Sequence, residues 1–280
     1  MEIGNLLLKE NINLLSKKVI SETLDFSRNQ FYYKSKLEIK DKKTALKIEK
    51  QYEDDDTMGS RKLGNLLKCN RKKMQRIMKK YGISARRKKK KYQYAGKADK
   101  VFNNLANDPK IKKTREIIFS DIFEIKLADK TKVRGCFALR RKTRQLISMV
   151  FDYSMKADLV VDTLQRIDCM ELEDVIWHSD QGKQYGAKKT INELMKKGFE
   201  ASMSRAGTPT DNPFAERFVG TFKLAVAERR KYNTLGEFLE VAEKWINFYN
   251  KKRPHEALNN LSPNKFANKN NLQSVPYLTL

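Results

Sequence analysis

Histidine and cysteine are scarce in this chain: 280 residues hold two histidines, His178 and His255, and three cysteines, Cys69, Cys136 and Cys169. Two histidines cannot furnish a histidine-rich metal centre and make a Ser/His/Asp triad hard to assemble, so catalysis has to rest on carboxylates. The cysteines are odd in number, widely spaced and without a CxxC pair. They point to core thiols of a reducing cytoplasm, not to a disulfide framework or a zinc site. Long apolar runs are missing too. Nothing approaches the roughly 18 residues that a membrane span needs, and no charged-then-apolar leader follows Met1, so a membrane role is not expected. Acidic residues are in deficit, 34 against 59 lysines and arginines, for a formal charge of +25. A field of that sign exceeds the needs of solubility and calls for a polyanion, nucleic acid in preference to a lipid surface.

Apolar residues are plentiful enough, at 40% of the chain, to build a sizeable core. The length suits one catalytic domain of about 150 residues with smaller modules beside it. The pattern is helical from Leu6 to Tyr33, giving an N-terminal helical segment over 1–40. Within 41–92, Leu63, Leu66, Leu67, Met74, Ile77, Met78 and Tyr81 form two apolar stripes broken near Cys69 and Asn70. That predicts two short helices joined by a tight turn, with Asn70 as N-cap and Gly82 in the left-handed position past the second helix. The polar face of that second helix carries Arg71, Lys72, Lys73, Arg76, Lys79 and Lys80, and the run Arg86, Arg87, Lys88 and onward to Lys91 follows. Such a helix can lie in a DNA groove or be a solvated face, whereas six like charges in a row need phosphates nearby.

After about Thr114 strands and helices alternate. Residues 117–125 and 145–151 read as strands, 157–167 as a helix, 175–178 and 201–203 as short strands around a helix at Ile191 to Met195. An α/β catalytic core over 112–270 with a central sheet is expected, followed by a polar tail over 271–280. Asn212 reads as the N-cap and Pro213 as the first residue of a long helix through FAERFVGTFKLAVAERR. A last helix starts after Thr234.

Three carboxylates stand out. Asp121 interrupts an apolar strand, where a charge is costly unless paired or metal-bound, although an edge strand could turn it to solvent. Asp180 follows the strand VIWH where a loop opens, a frequent place for catalytic groups in open α/β sheets, although an aspartate there can also satisfy turn donors. Glu216, in the first turns of the long helix, reads alone as a surface residue. On that helix Glu216, Gly220 and Lys223 are spaced i, i+4 and i+7 and share a face, so a carboxylate, a gap and a cation lie in a row. His178, two residues before Asp180, reads as a hydrogen-bonded strand-end residue, and His255 in RPHEAL as structural.

Residues 178–223, HSDQGKQYGAKKTINELMKKGFEASMSRAGTPTDNPFAERFVGTFK, resemble the second half of the catalytic core in bacterial insertion-sequence transposases related to retroviral integrases. Asp180 and Glu216 are separated by 35 positions, the spacing of the D,D(35)E family. IFSDI places Asp121 where that family has its first aspartate, and FYNKKRPHEALNNLSPNKF at 248–266 matches as well; RKKMQRIMKKYGISARRKKK resembles its helix-turn-helix module. Ile118 stands where the family usually has tryptophan, and the basic run Arg140 to Arg144 replaces its D-L-F-S-R. The resemblance implies an RNase H-like α/β fold with a central mixed sheet, preceded by small all-α helix-turn-helix modules. It implies a DNA transposase whose Asp121, Asp180 and Glu216 bind two Mg²⁺, with Mn²⁺ as a substitute, for strand cleavage and strand transfer. The partners implied are double-stranded DNA at element ends and target, held by Lys223, Arg71, Lys72, Arg76, Lys79, Arg86, Arg87 and Lys88. A homo-multimer on DNA, a DNA-binding protein from an upstream reading frame and a bacterial cytoplasmic, nucleoid-associated location complete the expectation. The alternative is an inactive DNA-binding regulator derived from such an enzyme.

Overall fold

A computed structural model describes residues 17–23, 25, 27, 29, 35–87, 100–167, 172 and 174–272. Most of the expected N-terminal helix, Cys169, Lys88 and residues 273–280 lie outside them. Two compact units are present, Met1–Glu49 and Lys50–Leu280. In the first, α1 (Lys17–Thr23) and the start of α2 (Lys36–Asp54) are helical. The boundary expected between residues 40 and 41 falls inside α2, whose 19 residues contain no glycine or proline to stop it.

The second unit opens with α3 (Ser60–Leu66) and α4 (Arg71–Lys80). The tight turn between them is as the apolar stripes predict. Asn70 caps α4, its side chain accepting from the Lys72 N–H at 2.8 Å, and Gly82 has φ +66°. Gly64 is required by close approach, since a Cβ there would stand 2.8 Å from the Cys69 carbonyl oxygen. Met74, Ile77 and Met78 are buried, while Arg71, Lys72, Arg76, Lys79 and Lys80 are exposed on the other face.

A short helix α5 (Pro109–Thr114) leads into the sheet: β1 (Glu116–Lys126), β2 (Lys132–Arg140) and β3 (Leu146–Asp152), then α6 (Ala157–Gln165), β4 (Val175–Ser179), α7 (Lys183–Gly186), α8 (Lys188–Lys196) and β5 (Glu200–Met203). The strand order is β3-β2-β1-β4-β5, with β1, β2 and β3 antiparallel and β4 and β5 parallel to β1. This is the mixed sheet of the RNase H-like class. Beyond it come α9 (Pro213–Phe222), which runs into a π turn over Lys223–Ala227, then α10 (Leu235–Lys251) and α11 (Pro263–Lys269). The long helix expected after Pro213 is thus widened at Lys223, a feature that often marks functional positions.

Period-2 alternation of β1 sorts the two cores. Ile117, Phe119, Phe123 and Ile125 face α9 and α10, packing with Phe137, Phe218, Phe222, Trp245 and Tyr249. Ile118 faces the opposite layer with Trp177, Leu159, Leu164 and Leu194 from β4, α6 and α8. Each fully buried Phe or Leu contributes about 1.5–3 kcal/mol, so the two layers hold the sheet firmly between them. Three features of this unit lay beyond the sequence reading. The strand β2 is one. The second is that the core begins before residue 112: Ala106 is buried in it, the Leu105 N–H donates to Ser202 Oγ at 2.9 Å, and Asn107 donates to Asp211. The third is that the helix-turn-helix segment is pinned to the core by the buried pair Arg253 Nε to Asp55 Oδ2 at 2.6 Å. Among the described residues no helix is long and apolar enough to cross a membrane.

Candidate active site

β1 and β4 run parallel with Phe119 opposite His178, the last paired positions of their ladder. Asp121, in the middle of β1, and Asp180, just past β4, each lie two residues further on, so the two carboxylates stand side by side beyond the same end of this ladder, where strands are about 4.8 Å apart. By parity Asp121 belongs with Phe119 and Phe123 on the face that α9 covers. Glu216 stands in the first turn of α9, exposed.

Local chemistry fixes one oxygen of each aspartate. Asp121 Oδ1 accepts from the Ile122 N–H at 2.9 Å, and Asp180 Oδ1 from the Gly182 N–H at 2.9 Å. A Cβ on residue 182 would sit 2.9 Å from Asp180 Oδ1, so glycine is what lets that loop fold back on the carboxylate. Burial, and then the Asp180 charge, push the Asp121 carboxyl up to about 8; the Ile122 N–H and the Lys223 ammonium oppose the rise, and Glu216 adds to it. Burial likewise raises Asp180 against the Gly182 N–H. Asp180, Glu216 and Lys223 are thus each within electrostatic reach of Asp121. Lys223 is half-buried at the start of the π turn, its ammonium 5.7 Å from the centre of the Phe123 ring.

A crowd of hard oxygen donors that raises its own proton affinity is the donor set a divalent cation such as Mg²⁺ relieves, because the cation takes the place of the proton. The second oxygen of Asp121 and of Asp180 accepts no hydrogen bond among the described residues, so both are open to such an ion. As they stand, no three acidic, histidine or cysteine side chains among the described residues are close enough to hold one ion together. The two aspartates are assembled; the glutamate is near but not joined to them.

The walls of the site are tightly built. His178 is buried between Ser202 Oγ at 2.8 Å and Ser204 Oγ at 3.0 Å, with burial pushing it down to about 4, so it is neutral near pH 7 and structural. His255 is held far below its ordinary value, first by burial and then by the Arg253 charge. Asn212 occupies the N-cap position of α9 but its side chain does not cap the helix. Instead Nδ2 donates to the Ser120 carbonyl at 3.2 Å, tying the start of the Glu216 helix to the residue before Asp121. Asp211 beside it accepts from the Arg205 backbone, the Arg205 guanidinium and Asn107, which holds its carboxyl far below the usual range. The sequence reading takes Asn212 as the helix cap and gives Asp211 no role; an Asp-Asn pair ahead of a proline-started helix was the signal for this lock.

The expected DNA-contacting residues are dispersed. Arg71, Lys72, Arg76 and Lys79 are on the exposed face of α4, Arg87 is exposed, and Lys223 is beside Asp121. Arg86 is used inside the protein: its guanidinium bonds Asp56 Oδ1 at 3.0 Å and the carbonyls of Leu224 at 2.5 Å and Glu228 at 2.9 Å. The sequence run of positive charge could not show that two helix-end carbonyls and a carboxylate lay within its reach.

Comparison with known proteins places this arrangement. Residues 112–209 and 197–263 each match a family profile described as an integrase core domain, and together the two span more than half of the chain. The insertion element IS407 uncharacterized 31.7 kDa protein of Burkholderia multivorans is 23% identical over 267 residues, covering 94% of each chain. An uncharacterized transposase-like protein of Haemophilus influenzae is 29% identical over 209 residues, 72% of this chain and 94% of the relative. The transposase for insertion sequence element IS904 of Lactococcus lactis is 36% identical over 97 residues, 34% of this chain and 38% of that one. Among solved structures, the HTLV-2 integrase catalytic core domain in complex with magnesium has 13% identity and a TM-score of 0.41, with 54% of this chain and 93% of that one covered.

Proposed function

Starting from the family to which the chain belongs, the insertion-sequence transposases with an integrase-like core, we propose that it cuts and joins DNA strands by metal-dependent polynucleotidyl transfer at Asp121, Asp180 and Glu216. The observation that carries this reading is the pairing of two half-buried aspartates on adjacent parallel strands, one with its carboxyl raised to about 8, beside an exposed glutamate on a helix docked over the same face. Asp121 and Asp180 would hold Mg²⁺ through their open oxygens, and Glu216 would join them when substrate is bound. Two ions bound there, with Mn²⁺ able to replace Mg²⁺, would activate the attacking oxygen and neutralise the leaving one.

The chain's own residues carry the rest. Asp121 has to surrender its proton before it can act as a ligand, which couples metal binding to pH. Lys223, three residues beyond Gly220 at the start of the π turn, sets a cation where a phosphate approaching the carboxylates would pass. Gly220 has nothing within 4 Å of the place a Cβ would occupy, leaving room for a DNA strand on that face. The exposed cationic face of α4 serves as the sequence-reading element at the element ends, with Arg71, Lys72, Arg76 and Lys79 as its contacts. Water would open a strand to expose a 3′-hydroxyl, and that hydroxyl would attack a second phosphodiester, without a covalent protein intermediate. A multimer holding two ends fits a reaction that joins separate DNA segments.

The test is joining of oligonucleotides carrying the element's terminal sequence into a target duplex, followed on a denaturing gel. With Mg²⁺ the full chain yields joined product, and Asp180→Asn and Glu216→Gln yield none while still binding DNA. Full joining by Asp180→Asn would overthrow the assignment, and a wild-type chain that binds ends but never cuts them would establish the regulator instead.

A further inference from the structure

The basic run between β2 and β3, Arg140 to Arg144, is not one surface. Arg140 is buried and paired with Glu116 Oε2 at 2.8 Å. Arg141 donates to the Lys112 carbonyl at 2.9 Å. Arg144, at φ +60°, donates to the Arg141 carbonyl and lays its guanidinium 4.0 Å from the centre of the Phe214 ring, in the first turn of α9. Phe214 also meets Phe119, two residues before Asp121, at 4.8 Å between ring centres. The β2–β3 turn thus delivers a cation to the same helix turn that carries Glu216.

Two more cations gather there from elsewhere in the chain. Arg217, next to Glu216 on α9, is exposed, and Lys62 of α3 is half-buried. The Arg217 charge acts on both Lys62 and Arg144, and each of those is disfavoured first by burial. Asp55 is bound to Arg253 at 2.6 Å and Glu256 to Arg61 at 2.7 Å. Lys62, Arg144 and Arg217 make no ion pair among the described residues. Cations from three separate elements, two of them partly desolvated and with Asp55 and Glu256 already engaged by other arginines, make a site suited to an external anion.

We infer that Lys62, Arg144 and Arg217 form a cradle for a DNA phosphodiester, which fixes the strand beside the first turn of α9 through contacts separate from the carboxylates. Arg144, braced on the Phe214 ring, supplies a pre-aimed planar donor. Lys62 supplies the link to the helix-turn-helix, so that a strand held at α4 and a strand entering the carboxylate site share one anchor. This inference rests on the transposase reading for its ligand.

The experiment is fluorescence anisotropy of the full chain with a labelled duplex of arbitrary sequence, in EDTA, from about 50 to about 200 mM KCl, where each phosphate contact contributes a slope of about −0.9 in log K against log salt. Lys62→Gln/Arg217→Gln should flatten the salt dependence toward about 3.5-fold across that range, the whole contribution of one phosphate contact, and adding Arg144→Gln should complete that loss and not exceed it, while Lys62→Arg alone keeps the wild-type slope. Thermal unfolding of the double variant, whose changes leave the Phe214 contact intact, controls for folding. A slope equal to the wild type in the folded double variant overturns the cradle. Strand joining measured on the same preparations separates the two claims: wild-type joining with unchanged slopes removes the cradle alone, and flattened slopes without wild-type joining uphold the cradle while removing the catalytic reading.

Discussion

Replacing Asp121 with asparagine keeps the shape of the side chain and removes the charge that the site finds hardest to bear without metal. The native carboxyl is raised from 3.8 to about 8, chiefly by burial and then by Asp180. Four units correspond to about 5–6 kcal/mol of preference for the protonated form. The side chain is half-buried and keeps part of its hydration, so about half of that, roughly 2–3 kcal/mol, is the cost that ionisation imposes on folding. The sign follows from linkage: the folded state binds the proton more tightly, so its advantage is full below about pH 4 and is lost as pH rises through about 8. In EDTA, Asp121→Asn should therefore match the wild type near pH 4 and exceed it by roughly 5–10 °C in Tm above pH 8, at about 2–4 °C per kcal/mol for a chain of this length. Adding Mg²⁺ should raise the wild-type Tm at high pH and leave the variant where it was. Thermal denaturation followed by circular dichroism across this pH range is the assay. A variant offset that is the same at every pH would refute the electrostatic reasoning.

Three further outcomes are expected. Arg253→Met strands the fully buried Asp55 carboxylate and should cost about 3–5 kcal/mol in chemical denaturation, with Asp55→Asn/Arg253→Met recovering much of it; equal losses in both would show that the stranded charge is not what costs stability. Gly64→Ala drives a methyl to 2.8 Å from the Cys69 carbonyl and should destabilise by about 1–3 kcal/mol, with an unchanged midpoint arguing that the α3–α4 turn is looser than its geometry. The His178 ring should stay neutral down to about pH 4 by NMR, since its base form is favoured by burial between two serines; stability linked to it is then lost as pH falls from about 6.5 toward 4, and a transition centred near 6.5 would contradict that environment.

The parts of this molecule that could be read from the sequence are those decided by nearest neighbours. Asp121 declared itself by breaking an apolar strand, and Asn70 and Gly82 by their places around one short helix. β2 did not, because Lys132, Arg134 and Gly135 interrupt its alternation, and the space left by Gly135 makes sense only once the rings of Phe123 and Phe151 are seen against it. Arg86 looked like part of a solvated arm because its partners Asp56, Leu224 and Glu228 are distant in the chain. Asn212 looked like a cap because that is what asparagine before a proline-started helix ordinarily does; a carbonyl on β1 outbid the helix for its side chain. The convergence of Asp121 and Asp180 followed from the family resemblance, and the parallel register of β1 and β4 supplies its physical basis.

The central claim is that three carboxylates from two strands and a helix share metal once DNA is in place. Counting bound Mn²⁺ by electron paramagnetic resonance, with and without a duplex carrying an element end, tests it most directly. The account predicts two ions per occupied site in the wild-type complex, fewer for the chain alone, and a loss of ions from the complex in both Asp180→Asn and Glu216→Gln. The same count in the variant complexes as in the wild type would contradict it.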